Sequence, residues 1–327
     1  MTVQITLIGM DQVGTSIGLG LAQHQDLVFR VGHDKELAFA NQAKKMGALD
    51  RVDINIPHAV EEAGLVILAL PLDQVQDTLK SMAQDLREEV VVVDMAPVKE
   101  TVLSWAKELL PEKRYYIGMT PVINPAYLQT HDSGPEAAHA DLFQDGLMAI
   151  VAPRGTPSQA IKLAADLGKL LGAEHLFIEP NELDSMMAAT HMLPQLMAAA
   201  LLNATVDKPG WREARMLTGR PFAEGSGPAV LFDQTGALVQ AALGAREHMT
   251  RNLDNLINEL NHIRNDIRSQ DAAALTLLLE KARKGYERWW KERNAANWSM
   301  AETAPNIEMP TVKEIFGRMV GMRRKKE

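Results

Sequence analysis

Residues 3–20 read VQITLIGMDQVGTSIGLG, and their order decides the fold. Val3, Ile5, Leu7 and Ile8 make an apolar, β-branched run that ends at Gly9. A tight turn reaches Gly14, and a small-residue helical pattern follows through Ile17, Gly18, Leu21 and Ala22. Strand, glycine turn and helix in this order form a dinucleotide-binding βα unit, in which the amides opening the helix face a diphosphate. Gly9, Met10, Asp11, Gln12, Val13 and Gly14 are therefore the expected cofactor cradle. One position departs from G-x-G-x-x-G, because Asp11 stands where glycine normally lets the backbone approach the phosphates. A carboxylate about 4–5 Å from a diphosphate charge, at an effective dielectric near 20, costs on the order of 3–4 kcal/mol. Unless offset, that weakens binding by roughly two to three orders of magnitude. Turning Asp11 to cap the helix amides removes the clash but uses donors that a phosphate wants.

Further strand patterns recur at 27–32, 65–70 (LVILAL), 90–94 (VVVVD), 115–119, 147–151 and 175–178, with helical patterns between them. Runs apolar on both faces suit strands covered by helices on both sides. The alternation implies an α/β fold, a doubly wound, mostly parallel Rossmann-type sheet whose ligands bind beyond the carboxyl ends of the strands. Leu70-Pro71, Met95-Ala96-Pro97 and Thr120-Pro121 read as strand ends at that crevice, with Leu70, Pro71, Ala96 and Pro97 under the cofactor. After about Pro180 the strand patterns stop. Helical stripes replace them, first Met186/Ala189/Leu193/Met197 and then Leu253/Leu256/Leu260/Ile263. The expected organisation is a dinucleotide-binding domain over residues 1–180, a linker at Glu179-Pro180-Asn181, and an all-helical domain over 181–327 with a substrate site in the cleft. The second stripe suits internal packing or a subunit interface. The capping-box spacing of Thr311 and Glu314 opens an amphipathic turn, and Arg323, Arg324, Lys325 and Lys326 give a basic end.

Bulk properties narrow the function. A chain of 327 residues, 46% apolar and 23% charged, has room for two domains and a large core. A net charge of −8 argues against nucleic acid, which needs a clustered basic face. The absence of cysteine removes disulfides, thiolate metal sites and a Cys nucleophile, as suits a reducing cytoplasm. The chain enters a strand at once, so neither a signal peptide nor a membrane span is expected.

Among the charged residues, Asp34 lies 20 positions after Gly14 at a strand end. An acidic group there bonds the adenosine ribose hydroxyls of NAD and repels the 2′-phosphate of NADP, so NAD is the expected cofactor; a helix N-cap is the alternative. Lys99, after Asp94-Met95-Ala96-Pro97-Val98, holds an anionic substrate or is an ordinary first-turn lysine. His131 and His139 sit in a polar loop, where histidines are usually inert. His191, before Leu193-Pro194, stands on the helix that begins the second domain and is either a packed histidine or a functional one. No His/Asp/Glu spacing points to a metal, and no serine sits on a nucleophile elbow.

Taken together, GMDQVGTSIGLGLA, VGHD, LVILALP, VVVDMAPVKE, GMTPVINP, SGPEAAHADLF and LDSMMAATHMLPQ resemble the prephenate/arogenate dehydrogenase family from Val3 to about Asp271. The resemblance implies an oxidative decarboxylation with NAD or NADP that makes the tyrosine precursor, a small carboxylate substrate, and a homodimer built through the helical domain. Several family positions differ here. Pro97 replaces a serine, Thr120-Pro121 replaces a His-Pro pair whose histidine takes the substrate hydroxyl proton, and the family Ser-His-Leu-Pro-His reads His191, Met192, Leu193, Pro194 and Gln195. The arginine-bearing segment appears as Phe222-Ala223-Glu224-Gly225-Ser226-Gly227, leaving Arg220 as the nearby cation. A lost bidentate arginine removes bonds worth roughly 1.5–3 kcal/mol each, and a lost general base costs about 10²–10⁴ in rate. The expected machinery is then His191 as base, Thr120 and Gln195 beside the substrate, and Lys99 or Arg220 as anion contact. Two other readings compete. One is a nucleotide- or ligand-binding scaffold without turnover. The other is a β-hydroxyacid-type dehydrogenase, although its usual helix lysine is missing before Lys208.

Overall fold

The opening apolar run forms β1 (Val3–Ile8), buried at every position but Gln4. The computed structural model describes residues 2–130, 132–229, 235–296 and 298. After β1 come α1 (Gln12–Leu21), β2 (Val28–His33), α2 (Leu37–Lys45), β3 (Arg51–Val52), α3 (Ile56–Val60) and β4 (Ala63–Leu68). The chain continues through α4 (Leu72–Met82), β5 (Val91–Asp94), α5 (Glu100–Leu109), β6 (Tyr115–Val122), β7 (Leu147–Val151), α6 (Ser158–Leu170) and β8 (Glu174–Phe177). All eight strands join one sheet in the order β3-β2-β1-β4-β5-β6-β7-β8. Strands β1 to β6 are parallel, β7 returns antiparallel to β6, and β8 runs parallel to β7. The order reverses between β1 and β4, and this switch point opens a crevice at the carboxyl ends of those strands. Ile5, Leu7, Ile67, Val93, Ile117 and Phe143 build the core below it.

One strand was not anticipated, and one local expectation is corrected. The two-residue β3 has no apolar run to announce it. Thr120-Pro121 does not end its strand, because β6 runs on to Val122. Beyond Gly118 the β5 partner has stopped and only β7 remains alongside, so a residue without N–H is accommodated there.

Arg30 of β2 is buried at 3% exposure and ties three elements together. Its guanidinium donates to both Asp50 oxygens, to the Gly18 carbonyl of α1 and to the Gly47 carbonyl beyond α2. The Asp50 carboxyl feels opposing influences. Burial pushes its pKa up, while the hydrogen bonds and charge of Arg30 outweigh burial and hold it below the usual value of 3.8.

Met1–Pro180 and Asn181–Ala295 form two compact units. The second contains α7 (Pro180–Met187), a π-turn (Ala188–Met192), α8 (Leu193–Thr205), α9 (Trp211–Ala214), α10 (Arg220–Ser226), α11 (Thr235–Gly244), α12 (Arg246–Ser269) and α13 (Ala272–Asn294). Its described residues include no strand. Pro180 is the first residue of a helix rather than a linker, a position its fixed φ suits.

The Met186/Ala189/Leu193/Met197 stripe is not the packed one. Met186 and Met197 are exposed, and the buried line is Leu183, Ala188, Met192, Gln195 and Ala198. Pro194 supplies the cause. It has no N–H for the Thr190 carbonyl, and its ring crowds that turn. Widening to a π-turn relieves both and shifts the later residues by one position. Along α12, Leu260 is exposed while Leu253, Leu256 and Ile263 are half-buried, so the chain covers this stripe only in part. One helix departs from the expectation of no membrane-length apolar stretch, since Pro180–Thr205 is long and apolar enough to span by length and composition alone. Asp184, His191 and Gln195 along it are groups that hydrocarbon tolerates poorly. The Thr311–Glu314 turn and the basic end lie outside the described residues.

Replacing Asp50 by Asn is expected to lower stability by about 2–3 kcal/mol at pH 7, because Arg30 stays buried with weaker acceptors. A group with a depressed folded pKa stabilises above its unfolded pKa and loses that contribution as pH falls through the folded one. The gap between wild type and Asp50→Asn in urea midpoint therefore narrows below about pH 4. An equal gap at pH 6 and pH 3 contradicts the ion pair.

Candidate functional site

The turn after β1 is held from beside and below. The Gly9 N–H donates to the His33 carbonyl at 2.9 Å, and the Met10 N–H donates to Asp34 Oδ2 at 2.6 Å. Asp34 Oδ1 accepts from the Glu36 N–H at 2.8 Å, and α2 begins only at Leu37, so Asp34 is not its N-cap. A carboxylate has about four lone-pair sites, so two remain on the half-buried Asp34 for ribose hydroxyls. Gly14 is obligatory, because a Cβ there would stand 1.9 Å from the Gly9 carbonyl oxygen. These features fit the adenosine end of a dinucleotide.

The diphosphate end is different. Asp11 is the N-cap of α1, and one of its oxygens, Oδ1, accepts from the Gln12 N–H and the Gly134 N–H, both at 2.7 Å. Nearby, Gln12 Nε2 donates to the Ala137 carbonyl at 3.0 Å, and the His139 N–H donates to Ser16 Oγ at 3.0 Å. Segment 134–139 is thus fastened to the first turns of α1. The ring of His139 stacks on Tyr127 at 4.2 Å, and the Tyr127 hydroxyl donates to Asp141, which raises the phenol's pKa. His139 is pinned as a loop-stiffening group; His131 lies outside the described residues. The Gly134 contact spans 123 residues, and local sequence carries no signal for it.

At the carboxyl ends of β4 and β5, Leu70, Pro71 and Pro97 are half-buried and Ala96 is buried. Lys99 is not where an anion contact must be. It is wholly buried, and its Nζ donates to Asp94 Oδ2 (2.7 Å), the Asp94 carbonyl (3.1 Å), the Ala96 carbonyl (2.6 Å) and the Met119 carbonyl (3.0 Å). This corrects the expectation of a substrate-facing lysine, because the ammonium's donors are directed at internal oxygens. The absence of a side chain at Gly118 makes room for it, since a Cβ there would lie 2.6 Å from Lys99 Cδ. Thr120 is buried too, and its hydroxyl donates to the Ala96 carbonyl at 3.0 Å, so only its lone pairs are left to orient a ligand.

In the helical unit His191 stands on the π-turn with a solvent-accessible side chain. Desolvation by the protein around it lowers the imidazole's pKa below the ordinary 6.5. A neutral imidazole at pH 7 is able to accept a proton. Gln195, expected beside a substrate, is buried and donates Nε2 to the His191 carbonyl at 3.0 Å. It steadies the π-turn instead of presenting a free amide. Arg220 opens α10 and is exposed. Among the described residues no cluster of three or more His, Asp or Glu side chains could hold a metal ion.

The family model for the prephenate dehydrogenase nucleotide-binding domain matches residues 17–176. Over that stretch the chain is similar to the prephenate dehydrogenase family. The match begins after the glycine turn and so does not include Asp11. Cyclohexadienyl dehydrogenase of Zymomonas mobilis is 26% identical over 276 residues, covering 82% of this chain and 89% of that protein. Prephenate dehydrogenase of Bacillus subtilis is 27% identical over 202 residues, covering 62% of this chain and 53% of that protein, so the alignment spans about half of that relative's length. The crystal structure of prephenate dehydrogenase from Aquifex aeolicus, in complex with hydroxyphenyl propionate and NAD+, has the same fold with a TM-score of 0.76. It is 17% identical, and the overlap covers 88% of this chain and 98% of that one.

Lys99→Met is expected to destabilise by about 3–5 kcal/mol in urea unfolding, because the Asp94 carboxylate stays buried without its counter-ion. A raised KM with unchanged stability would instead make Lys99 a substrate contact.

Proposed function

We propose that this chain is an NAD-dependent dehydrogenase that oxidatively decarboxylates prephenate or arogenate. The observation that carries the reading is the Met10 N–H bond to Asp34 Oδ2, which sets a ribose-binding carboxylate beside the glycine turn at the switch point of the sheet. The match to the prephenate dehydrogenase nucleotide-binding domain and the NAD+ in the Aquifex structure support the same cofactor. Asp34 disfavours a 2′-phosphate, so NAD is preferred over NADP. When bound, NAD accepts the hydride that leaves the substrate.

The protein's own residues take the remaining roles. Neutral His191 takes the proton of the substrate hydroxyl, and Arg220 meets a carboxylate by charge-assisted hydrogen bonds. Thr120 offers only lone pairs, and it orients a donor without taking its proton.

We further propose a cytoplasmic homodimer formed through the helical unit. The cysteine-free composition suits the compartment. Ile257, Leu260, Leu277, Leu279, Tyr286 and Trp289 are large apolar residues exposed on α12 and α13, more than a solvated helix pair needs. A binding scaffold without turnover is the second reading. It is favoured by the commitment of Thr120 and Gln195 to internal carbonyls.

Folded protein supplied with NAD and either acid is expected to form NADH. His191→Asn should lower kcat by about 10²–10⁴ while leaving KM nearly unchanged. Because desolvation lowers the His191 pKa, activity should fall on the acid side with a midpoint below 6.5, the ordinary histidine value. NAD binding without turnover of either acid favours the scaffold instead. In light scattering at micromolar concentration the dimer mass is expected, and a monomer overturns the assembly.

A further inference from the structure

The amides that open α1 are the donors a dinucleotide's diphosphate uses, and one of them is already taken by an anion from within the chain. Asp11 Oδ1 accepts the Gln12 N–H and, from across the fold, the Gly134 N–H, both at 2.7 Å. Two more bonds repeat the link between the same pieces, Gln12 Nε2 to the Ala137 carbonyl and the His139 N–H to Ser16 Oγ. Pro135, Ala137 and Ala138 are buried, so segment 134–139 is a packed strap and not a loose loop. We propose that Asp11 is the affinity-setting residue of the nucleotide site. Its carboxylate takes the diphosphate's place at the α1 N-terminus and fastens the strap there, and a dinucleotide binds only by displacing it. This inference rests on the nucleotide-binding reading.

The argument is electrostatic and geometric together. A capping carboxylate alone would satisfy Gln12 and point to solvent, as many N-caps do. Here the same oxygen is shared with a peptide far away in sequence, so moving it releases two amides at once. Left in place, a unit charge about 4–5 Å from a diphosphate lowers affinity by roughly a hundred- to a thousand-fold. The site is therefore tuned to weak, exchangeable binding of phosphorylated ligands. A ligand without phosphate meets no such repulsion.

The test compares wild type, Asp11→Asn and Asp11→Gly by calorimetric titration with NAD and with adenosine. Asp11→Asn keeps a cap and serves as the variant that folds if the glycine does not. NAD should bind Asp11→Asn and Asp11→Gly each between about tenfold and a thousandfold more tightly than wild type, with Asn limited by the cap it keeps. Adenosine should bind all three within about twofold, which separates charge repulsion from a general change in the site. Hydrogen exchange of the peptide covering 132–141 should quicken in ligand-free Asp11→Gly. Equal NAD affinity in all three proteins overturns the inference and leaves the nucleotide reading standing. No NAD binding by any of them overturns both. Unchanged exchange at 132–141 overturns the strap.

Discussion

Strands that end at the crevice leave backbone amides pointing into sharp turns, and in this protein three aspartates satisfy several of them. Asp34 takes the Met10 and Glu36 N–H groups, Asp94 takes that of Ala96, and Asp11 takes those of Gln12 and Gly134. A buried amide without a partner costs about 1–3 kcal/mol, and the Ala96–Asp94 contact, which is buried, avoids that cost in full. They also concentrate negative charge along one rim of the sheet. Only Asp94 has a buried counter-ion, Lys99, and that pairing withdraws a lysine from the ligand side. The rim's remaining charge is what an incoming anion encounters.

Much of the α/β architecture was legible because its signals are local. Apolar runs such as VVVVD and LVILAL mark strands, and Gly9 and Gly14 mark the turn. The capping role of Asp11 was foreseeable for the same reason, since an N-cap acts on the next few residues. Other features depend on contacts between distant segments and left no local trace. Lys99 follows a strand end as a substrate lysine would, yet Gly118 on the neighbouring strand opens the space that swallows it. The Gly134 contact with Asp11 is of the same kind. Residue types at the site were readable, whereas their directions were set by neighbours.

The helical unit shows a different limit. Periodicity assumes a constant advance per residue, and Pro194 breaks that assumption by forcing the wider Ala188–Met192 turn. Beyond that turn Met197 of the expected stripe is exposed, while Met192 and Gln195 are buried. The same turn carries His191 and is braced by the Gln195 amide on the His191 carbonyl. A residue that looks displaced by one place in linear comparison is thus carried on a turn whose geometry is itself altered. Desolvation there holds the imidazole's pKa below the ordinary histidine value.

The reversed direction of β7 has a consequence of its own. Because β7 returns alongside β6, the polypeptide between Val122 and Leu147 starts and finishes at the same rim of the sheet. A parallel successor would have drawn that stretch over to the opposite rim, out of reach of the first helix. One flipped strand therefore supplies the molecule with a length of chain stationed at the ligand's doorway. Shortening or extending that return offers a way to adjust access while the parallel half of the sheet, and the turns built on it, keep their form.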